Sequence, residues 1–148
     1  MKIRKGFVSN SSTSSFVCDI CGTVEAGRDM CLRDFEMVEC KRGHCFHKSC
    51  VPQKDMMVFE EAEEKLRKHE DDSEPNPEIE KIFADCEYGE VPAVFCPVCQ
   101  LHVVTDEMVK MHLHVVTGKS VKVVEAEILA NYKNYDELNK AYGVVTEK

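Results

Sequence analysis

The chain has 148 residues, enough for one ordinary domain, and a hydrophobic fraction of 43% that permits a packed core. Its formal net charge of −8 excludes the broadly basic surface of a general nucleic-acid-binding protein, which disfavours nucleic acid as a partner. No apolar stretch approaches the roughly 20 residues that span a bilayer, and no signal peptide is visible, so we expect a cytoplasmic protein without membrane contact.

The first 15 residues predict a disordered tail, because the run from Ser9 to Ser15 contains only Ser, Thr and Asn and offers nothing to bury. We expect the ordered part to begin at Phe16 and Val17 as a short strand. The stretch from Met1 to Phe16 resembles the N-terminus of many small bacterial and phage proteins, and this resemblance implies a bacterial or viral origin.

Nine cysteines are a high count, and an odd number would leave one thiol over in a framework of disulfides. Together with nearby histidines they form four pairs at spacings that suit a metal ion: Cys18 and Cys21, Cys40 and His44, His47 and Cys50, and Cys96 and Cys99. Because zinc prefers four thiolate or imidazole donors in a tetrahedron, four pairs predict two structural zinc ions. Each such site stabilises the fold by about 10 kcal/mol or more.

Two partitions of the pairs are open. In an interleaved arrangement, the first pair shares one ion with the third, and the second pair shares the other ion with the fourth. We favour this arrangement because it explains why the central pairs lie between the outer ones. In the sequential alternative, the two central pairs hold one ion and the two outer pairs hold the other as a zinc ribbon.

The segment between the third and fourth pairs is too long for a structureless loop and predicts an acidic helical insert at residues 53–90. A helix follows Pro52, and a second begins at Pro77 after an Asn76 cap. Their predicted apolar positions are Met56, Phe59, Ala62, Leu66, Ile79, Ile82 and Phe83. Residues 60–90 carry thirteen acidic and four basic residues, which indicates a solvated helix face or, alternatively, an acidic surface for a partner.

Residues 101–148 predict a helical extension packed on the metal core. Thr105, Ser120 and Asn134 are candidate N-caps of three helices. The first would run to Gly118, the second would bury one stripe, and the third would end at Gly143. The residues predicted for that stripe are Val121, Val124, Ile128, Leu129 and Tyr132.

From Cys18 to Gln100, the four pairs and the central motif His44-Cys-Phe-His47-Lys-Ser-Cys50 resemble a RING finger of the two-histidine kind. The resemblance implies a small α+β zinc-stabilised domain at residues 16–100, with a cross-brace of two zinc sites, a short hairpin and a helix after the third pair. By position, it places Cys18, Cys21, His47 and Cys50 at one zinc and Cys40, His44, Cys96 and Cys99 at the other. The three-residue gap before His44 is longer than usual in the family, so Cys45 competes with His44 as a ligand.

RING fingers often act as ubiquitin ligases by docking a ubiquitin-conjugating enzyme on a shallow apolar groove. Ile20, Pro97 and Val98 match groove positions and are the predicted partner-binding residues. The usual groove Trp is absent from the chain, and Gln100 stands where the family has a basic residue after the last ligand. These departures weigh against ligase activity.

The predicted function is therefore a non-enzymatic, zinc-binding, RING-like module that binds a protein partner. A RING-type ubiquitin ligase is the first alternative, and a nucleic-acid-binding zinc protein is the second. Cys31, Cys45 and Cys86 are interpreted as small buried hydrophobic residues rather than reactive thiols. The histidines outside the pairs, His102, His112 and His114, are interpreted as surface or hydrogen-bonded residues rather than ligands.

Overall fold

The computed structural model describes residues 13–71, 77–84, 86, 87 and 89–143. Over these residues the chain is a small α+β protein. Strand β1 (Thr13–Val17) pairs antiparallel with β2 (Val24–Arg28), with Thr13 opposite Arg28 and Val17 opposite Val24. The strand begins three residues before the predicted start at Phe16, because pairing with β2 satisfies the backbone of these polar residues. The remainder of the predicted tail, residues 1–12, lies outside the described residues.

A second sheet has the order β4-β3-β5. Strand β3 (Met37–Cys40) and β4 (Cys45–His47) form an antiparallel hairpin in which Val38 faces Phe46. The two-residue strand β5 (Glu90–Val91) pairs parallel with β3 and places Val91 beside Cys40. Cys40 of the second pair is thus the last residue of β3, and the fourth pair follows β5 in the chain.

The insert contains two helices, α1 (Gln53–Asp71) and α2 (Pro77–Phe83). The start of α1 is fixed at Pro52, whose carbonyl accepts hydrogen bonds from the amides of Asp55 and Met56. Phe59 is buried and packs against Phe95, which also contacts Phe83. The predicted cap Asn76 and the side chains of Leu66 and Ile79 lie outside the described residues.

Three helices follow the fourth pair: α3 (Asp106–Val115), α4 (Val121–Asn131) and α5 (Tyr135–Ala141). Two of the predicted caps are confirmed, since the Thr105 side chain accepts from the amide of Met108 and the Asn134 side chain accepts from that of Glu137. Ser120 occupies the predicted N-cap position without a side-chain cap bond. Helix α3 ends at Val115, before the predicted stop at Gly118.

The hydrophobic core joins the sheet to the helices that follow it. Its fully buried side chains include Phe46 and Met37 from the sheet, Met108 from α3, Ile128 from α4 and Leu138 from α5.

Only part of the apolar stripe predicted for α4 is buried. Val124 and Ile128 are buried, and Tyr132 packs at the core edge. Leu129 is exposed because the rotation of about 100° per residue carries it away from the face of Ile128, and Val121 is exposed at the first position of the helix. None of the helices in the described ranges is long and apolar enough to cross a membrane.

Candidate metal centres

The first ligand pair lies in a tight turn between β1 and β2. The amide of Gly22 donates to the carbonyl of Cys18 at 2.8 Å, and the amide of Cys18 donates to the carbonyl of Thr23 at 2.9 Å. Gly22 has φ +75°, a left-handed conformation that glycine adopts without strain. The turn therefore brings the sulfurs of Cys18 and Cys21 to one side of the loop.

Asp19 connects this turn to the second sheet. Its amide donates to the carbonyl of Cys45 at 2.7 Å, and its carboxylate accepts from the amide of Cys45 at 2.8 Å. Burial raises the pKa of Asp19, and the hydrogen bond from Cys45 opposes that shift. This two-way bond fixes the turn against the start of β4, the strand that ends at His47.

The structure thereby brings the first pair together with the third. The donor atoms of Cys18, Cys21, His47 and Cys50, which we call the first cluster, all lie within 4.8 Å of one another. His47 Nδ1 is 3.6 Å from Cys21 Sγ and 3.9 Å from Cys50 Sγ.

The orientation of His47 is set by Glu25 on β2. His47 Nε2 lies 3.3 Å from a carboxylate oxygen of Glu25, while Nδ1 faces the sulfurs. Donation of the Nε2–H to a carboxylate favours the tautomer with a free lone pair on Nδ1, which is the form that ligates a metal. The sequence contains no local signal for Glu25, because its approach to His47 depends on how β2 and β4 are placed.

The second pair closes a tight turn at the end of β3. The amide of Cys40 donates to the carbonyl of His44 at 2.9 Å, and the amide of Gly43 donates to the carbonyl of Cys40 at 2.7 Å. Gly43 takes φ +84°, which lets the three-residue gap reverse direction within one turn.

The fourth pair repeats the geometry of the first. The amide of Gln100 donates to the carbonyl of Cys96 at 3.0 Å, as Gly22 does to Cys18, and the amide of Cys99 points at Cys96 Sγ from 3.5 Å. A backbone N–H directed at a cysteine sulfur stabilises the thiolate form.

The second cluster combines these two pairs. The donor atoms of Cys40, His44, Cys96 and Cys99 lie within 4.8 Å of one another. His44 Nδ1 is 3.4 Å from Cys40 Sγ, 3.8 Å from Cys96 Sγ and 3.3 Å from Cys99 Sγ, and the sulfurs of Cys40 and Cys99 are 3.9 Å apart.

The thiols of the second cluster perturb one another's protonation. Hydrogen bonds with the Cys96 and Cys99 side chains lower the pKa of Cys40, while the bond with Cys40 raises the pKa of Cys96 to about 12 and also raises that of Cys99. In the first cluster, hydrogen bonding with Thr23 lowers the pKa of Cys21 to about 6. Sulfurs packed this closely compete for protons, and a cation at the centre removes that competition.

The interatomic distances fit a tetrahedral metal ion. Zinc bonds of about 2.3 Å to sulfur and about 2.0 Å to nitrogen place two sulfurs about 3.8 Å apart, and a sulfur and a nitrogen about 3.5 Å apart. The separations named above are 3.6 and 3.9 Å in the first cluster and 3.3 to 3.9 Å in the second, and all donor atoms of each cluster lie within 4.8 Å of one another. Two clusters of three cysteines and one histidine could therefore hold two metal ions, and their donor chemistry is consistent with zinc.

The structure separates His44 from its competitor Cys45. His44 belongs to the second cluster, while the thiol of Cys45 belongs to neither. Burial raises the pKa of Cys45 to about 12, which keeps that thiol protonated.

The three cysteines outside the clusters differ in burial. Cys45 and Cys86 are half-buried, but Cys31 is exposed, so the prediction that Cys31 is buried was wrong. It precedes a surface 3-10 turn (Leu32–Phe35), and its amide donates to the Asp34 carboxylate.

Two of the three predicted groove residues lie inside the protein. Ile20 is half-buried, but Pro97 and Val98 are fully covered. The chain after the fourth pair folds back, and the amides of His102 and Val103 donate to the carbonyl of Pro97. The expectation that Pro97 and Val98 line an open groove therefore does not hold.

The amide side chain of Gln100 is also directed inward. It donates to the carbonyl of Ala93 at 3.1 Å, which holds it against the protein's own backbone.

Two of the other histidines make structural contacts, and His114 is exposed. His112 is buried, with Nδ1 bonded to the Tyr142 hydroxyl and Nε2 at 3.3 Å from Glu127. His102 Nδ1 lies 2.9 Å from the carboxylate of Asp55 and so joins the fourth-pair loop to α1. These observations agree with the interpretation of both as satisfied histidines. Among the described residues, the metal-capable groups of three or more donors are the two clusters.

No protein-family model, curated protein or solved structure matches the chain. The geometry of the two clusters is accordingly the basis for any functional conclusion.

Proposed function

We propose that the chain is a RING-like, cross-braced zinc module that acts as a non-enzymatic protein-binding device. The observation that carries the proposal is the grouping of the donors. The first pair meets the third and the second pair meets the fourth, so the two clusters are interleaved along the chain. Interleaving ties β1, β2, the hairpin and the segment after β5 into one unit, as expected when two structural ions replace part of a core.

Zinc is the proposed ion because each donor set is sulfur-rich. Three thiolates and one imidazole suit zinc and exclude the hard cations that prefer oxygen ligands. The nine cysteines, none of them in a disulfide, support a reducing, cytoplasmic location, and the proposed origin is a bacterium or phage.

A structural role for the metal follows from the donor count. A catalytic zinc keeps one position for water or substrate, whereas four protein donors close the tetrahedron. Ubiquitin-ligase activity is not favoured, since Pro97 and Val98 are buried and Gln100 bonds to Ala93. The proposal therefore assigns the chain to binding rather than to catalysis.

Exposed apolar side chains support a protein partner. Met57 and Val58 on α1 are each 53% exposed, and Val94 in the loop before the fourth pair is 55% exposed. Acidic residues continue along α1 from Glu60. Apolar side chains beside charge of one sign are typical of a surface that binds a protein of the opposite charge.

The metal content tests the first half of the proposal. Native mass spectrometry of the purified full chain should find two zinc ions, and Cys50→Ser and Cys96→Ser should each retain one. The matched control Cys31→Ser changes an exposed cysteine outside both clusters and should retain two. One zinc or none in the unmodified chain would contradict the two-ion assignment.

The partner requires a separate test. The zinc-loaded chain and a Met57→Lys/Val58→Lys variant should be used in parallel to capture proteins from a bacterial lysate, and each candidate should then be titrated, purified, against both. Binding that weakens strongly in the variant, while its zinc content stays at two, supports the proposal. Ubiquitin-chain formation with conjugating enzymes would instead favour the ligase, and equal binding to both forms would reject this surface.

A further inference from the structure

The two clusters differ in how far solvent reaches their sulfurs. In the second cluster, Cys40 and Cys96 are 0% exposed and Cys99 is 2% exposed. In the first cluster, Cys21 is exposed and Cys50 is half-buried, and only Cys18 is fully covered.

The cover of the second cluster comes from α5. The Tyr135 ring meets His44 edge-on with centroids 5.1 Å apart, and the Tyr135 amide donates to the carbonyl of Cys99 at 2.8 Å. Arg42, in the turn between Cys40 and His44, forms an ion pair with Asp136 on the same helix. Helix α5 therefore packs against the side of the second cluster formed by His44 and Cys99.

Access matters because a metal-bound cysteine is held as a thiolate, the form that attacks oxidants. A small hydroperoxide can reach Cys21 from solvent, whereas the three cysteines of the second cluster are buried. The other sulfurs of the first cluster lie within 4.8 Å of Cys21, close enough to form a disulfide after a small shift.

We propose that the first cluster is an oxidation site, at which a hydroperoxide converts Cys21 and a neighbouring thiolate into a disulfide and lowers the metal content from two ions to one. The inference rests on the proposed zinc occupancy and adds a form of regulation to it. Its consequence is local: the tie between the first turn and the end of β4 loosens, while the second cluster keeps its ion.

The reaction balances without another reagent. The Cys21 thiolate attacks hydrogen peroxide, which breaks the O–O bond, forms a sulfenic acid and releases hydroxide. The thiolate of Cys18 or Cys50 then attacks that sulfur, forms the disulfide and releases a second hydroxide. The two sulfurs together lose two electrons, which the peroxide accepts, and the ion leaves as Zn²⁺ because two of its four donors are gone.

The experiment uses the zinc-loaded full chain and hydrogen peroxide, with released zinc followed by a chromogenic chelator. One ion per chain should be released in a fast phase and the second in a clearly slower phase. Peptide mapping after the fast phase should find Cys21 joined to Cys18 or Cys50, and a phosphine reductant with added zinc should restore two ions. Release of both ions in a single phase, or early oxidation of the second cluster, would overturn the proposal.

Three variants sharpen the result. Cys31→Ser should leave both phases unchanged, because that exposed thiol lies outside the clusters. Cys21→His keeps four donors but removes the accessible sulfur, so the fast phase should slow several-fold while both ions remain bound beforehand. Tyr135→Ala should accelerate the slow phase; an unchanged slow phase would show that α5 is not the shield.

The controls also separate this inference from the proposed function. A starting chain without two zinc ions would refute the zinc module itself. A starting chain with two ions that leave together would refute only the oxidation site.

Discussion

Glu25 is the residue whose replacement most directly tests the geometry of the first cluster. Its carboxylate lies 3.3 Å from His47 Nε2 and orients the ring so that Nδ1 faces the sulfurs. Glu25→Gln keeps the shape and an acceptor oxygen but removes the charge that strengthens this hydrogen bond. We expect the zinc affinity of the first cluster to fall, with the second cluster unaffected.

The expected loss of zinc affinity depends on how far His47 and Glu25 are exposed to solvent. Loss of a carboxylate that supports a metal-bound histidine reduces affinity by about 10- to 100-fold. The side chains of His47 and Glu25 are 15% and 33% exposed, so solvent screens part of the interaction and favours the low end of that range. A tenfold loss corresponds to about 1.4 kcal/mol. Glu25→Ala removes the acceptor entirely and should weaken binding further.

The assay is a competition between the chain and a chelator of known zinc affinity, read as two successive dissociation steps. Glu61→Gln on α1 is the matched control, because it makes the same charge change at an exposed position. A Glu25→Gln chain with unchanged affinity at both steps would refute the argument that this carboxylate sets the histidine. Equal weakening of both steps would point to a general effect of charge.

Three further changes have defined outcomes. Cys45→Ser should retain two zinc ions in native mass spectrometry, because the backbone of Cys45 rather than its thiol holds Asp19; loss of an ion would restore Cys45 as a ligand. Phe46→Ala should lower the free energy of unfolding of the zinc-loaded chain by about 3–5 kcal/mol in urea titrations, since this side chain is 1% exposed; a loss below about 1 kcal/mol would show that it is not a core residue. Burial raises the pKa of Tyr142 from 10.0 to about 12, so its contribution to stability is complete below pH 10 and lost as the pH rises through 12. An ultraviolet titration should show a phenol that ionises near pH 12 and is absent in Tyr142→Phe; an unchanged titration would contradict the assignment.

The turns of the sites were predictable from residue spacing, whereas the favoured interleaved grouping rested on the order of the pairs and on the resemblance to a RING finger, and the two clusters match it. A Cys-x2-Cys spacing closes a turn by itself, as the bonds from Gly22 to Cys18 and from Gln100 to Cys96 illustrate. Spacing says nothing about which turn meets which. The choice is made by contacts between distant segments, such as the bonds between Asp19 and Cys45, which no local pattern reveals.

The same limit explains the predictions that were wrong. Pro97 and Val98 occupy the positions of an open groove within their own motif, and their burial results from the segment that follows it. Cysteine is a residue type that is usually buried, but Cys31 lies beside a surface turn and is exposed. By contrast, the caps at Thr105 and Asn134 depend on residues three apart, and both were predicted correctly.

The helices after the fourth pair pack against the second cluster and contribute to the hydrophobic core. The last described helix covers the second cluster through Tyr135, pairs with Arg42 through Asp136 and contributes Leu138 to the buried core. Burial raises the pKa of the Tyr135 phenol, in keeping with a ring enclosed against the cluster. The chain that leads toward this helix folds back over Pro97, whose carbonyl accepts hydrogen bonds from the amides of His102 and Val103. One stretch of chain, residues 101–143, therefore both covers Pro97 and packs against the second cluster.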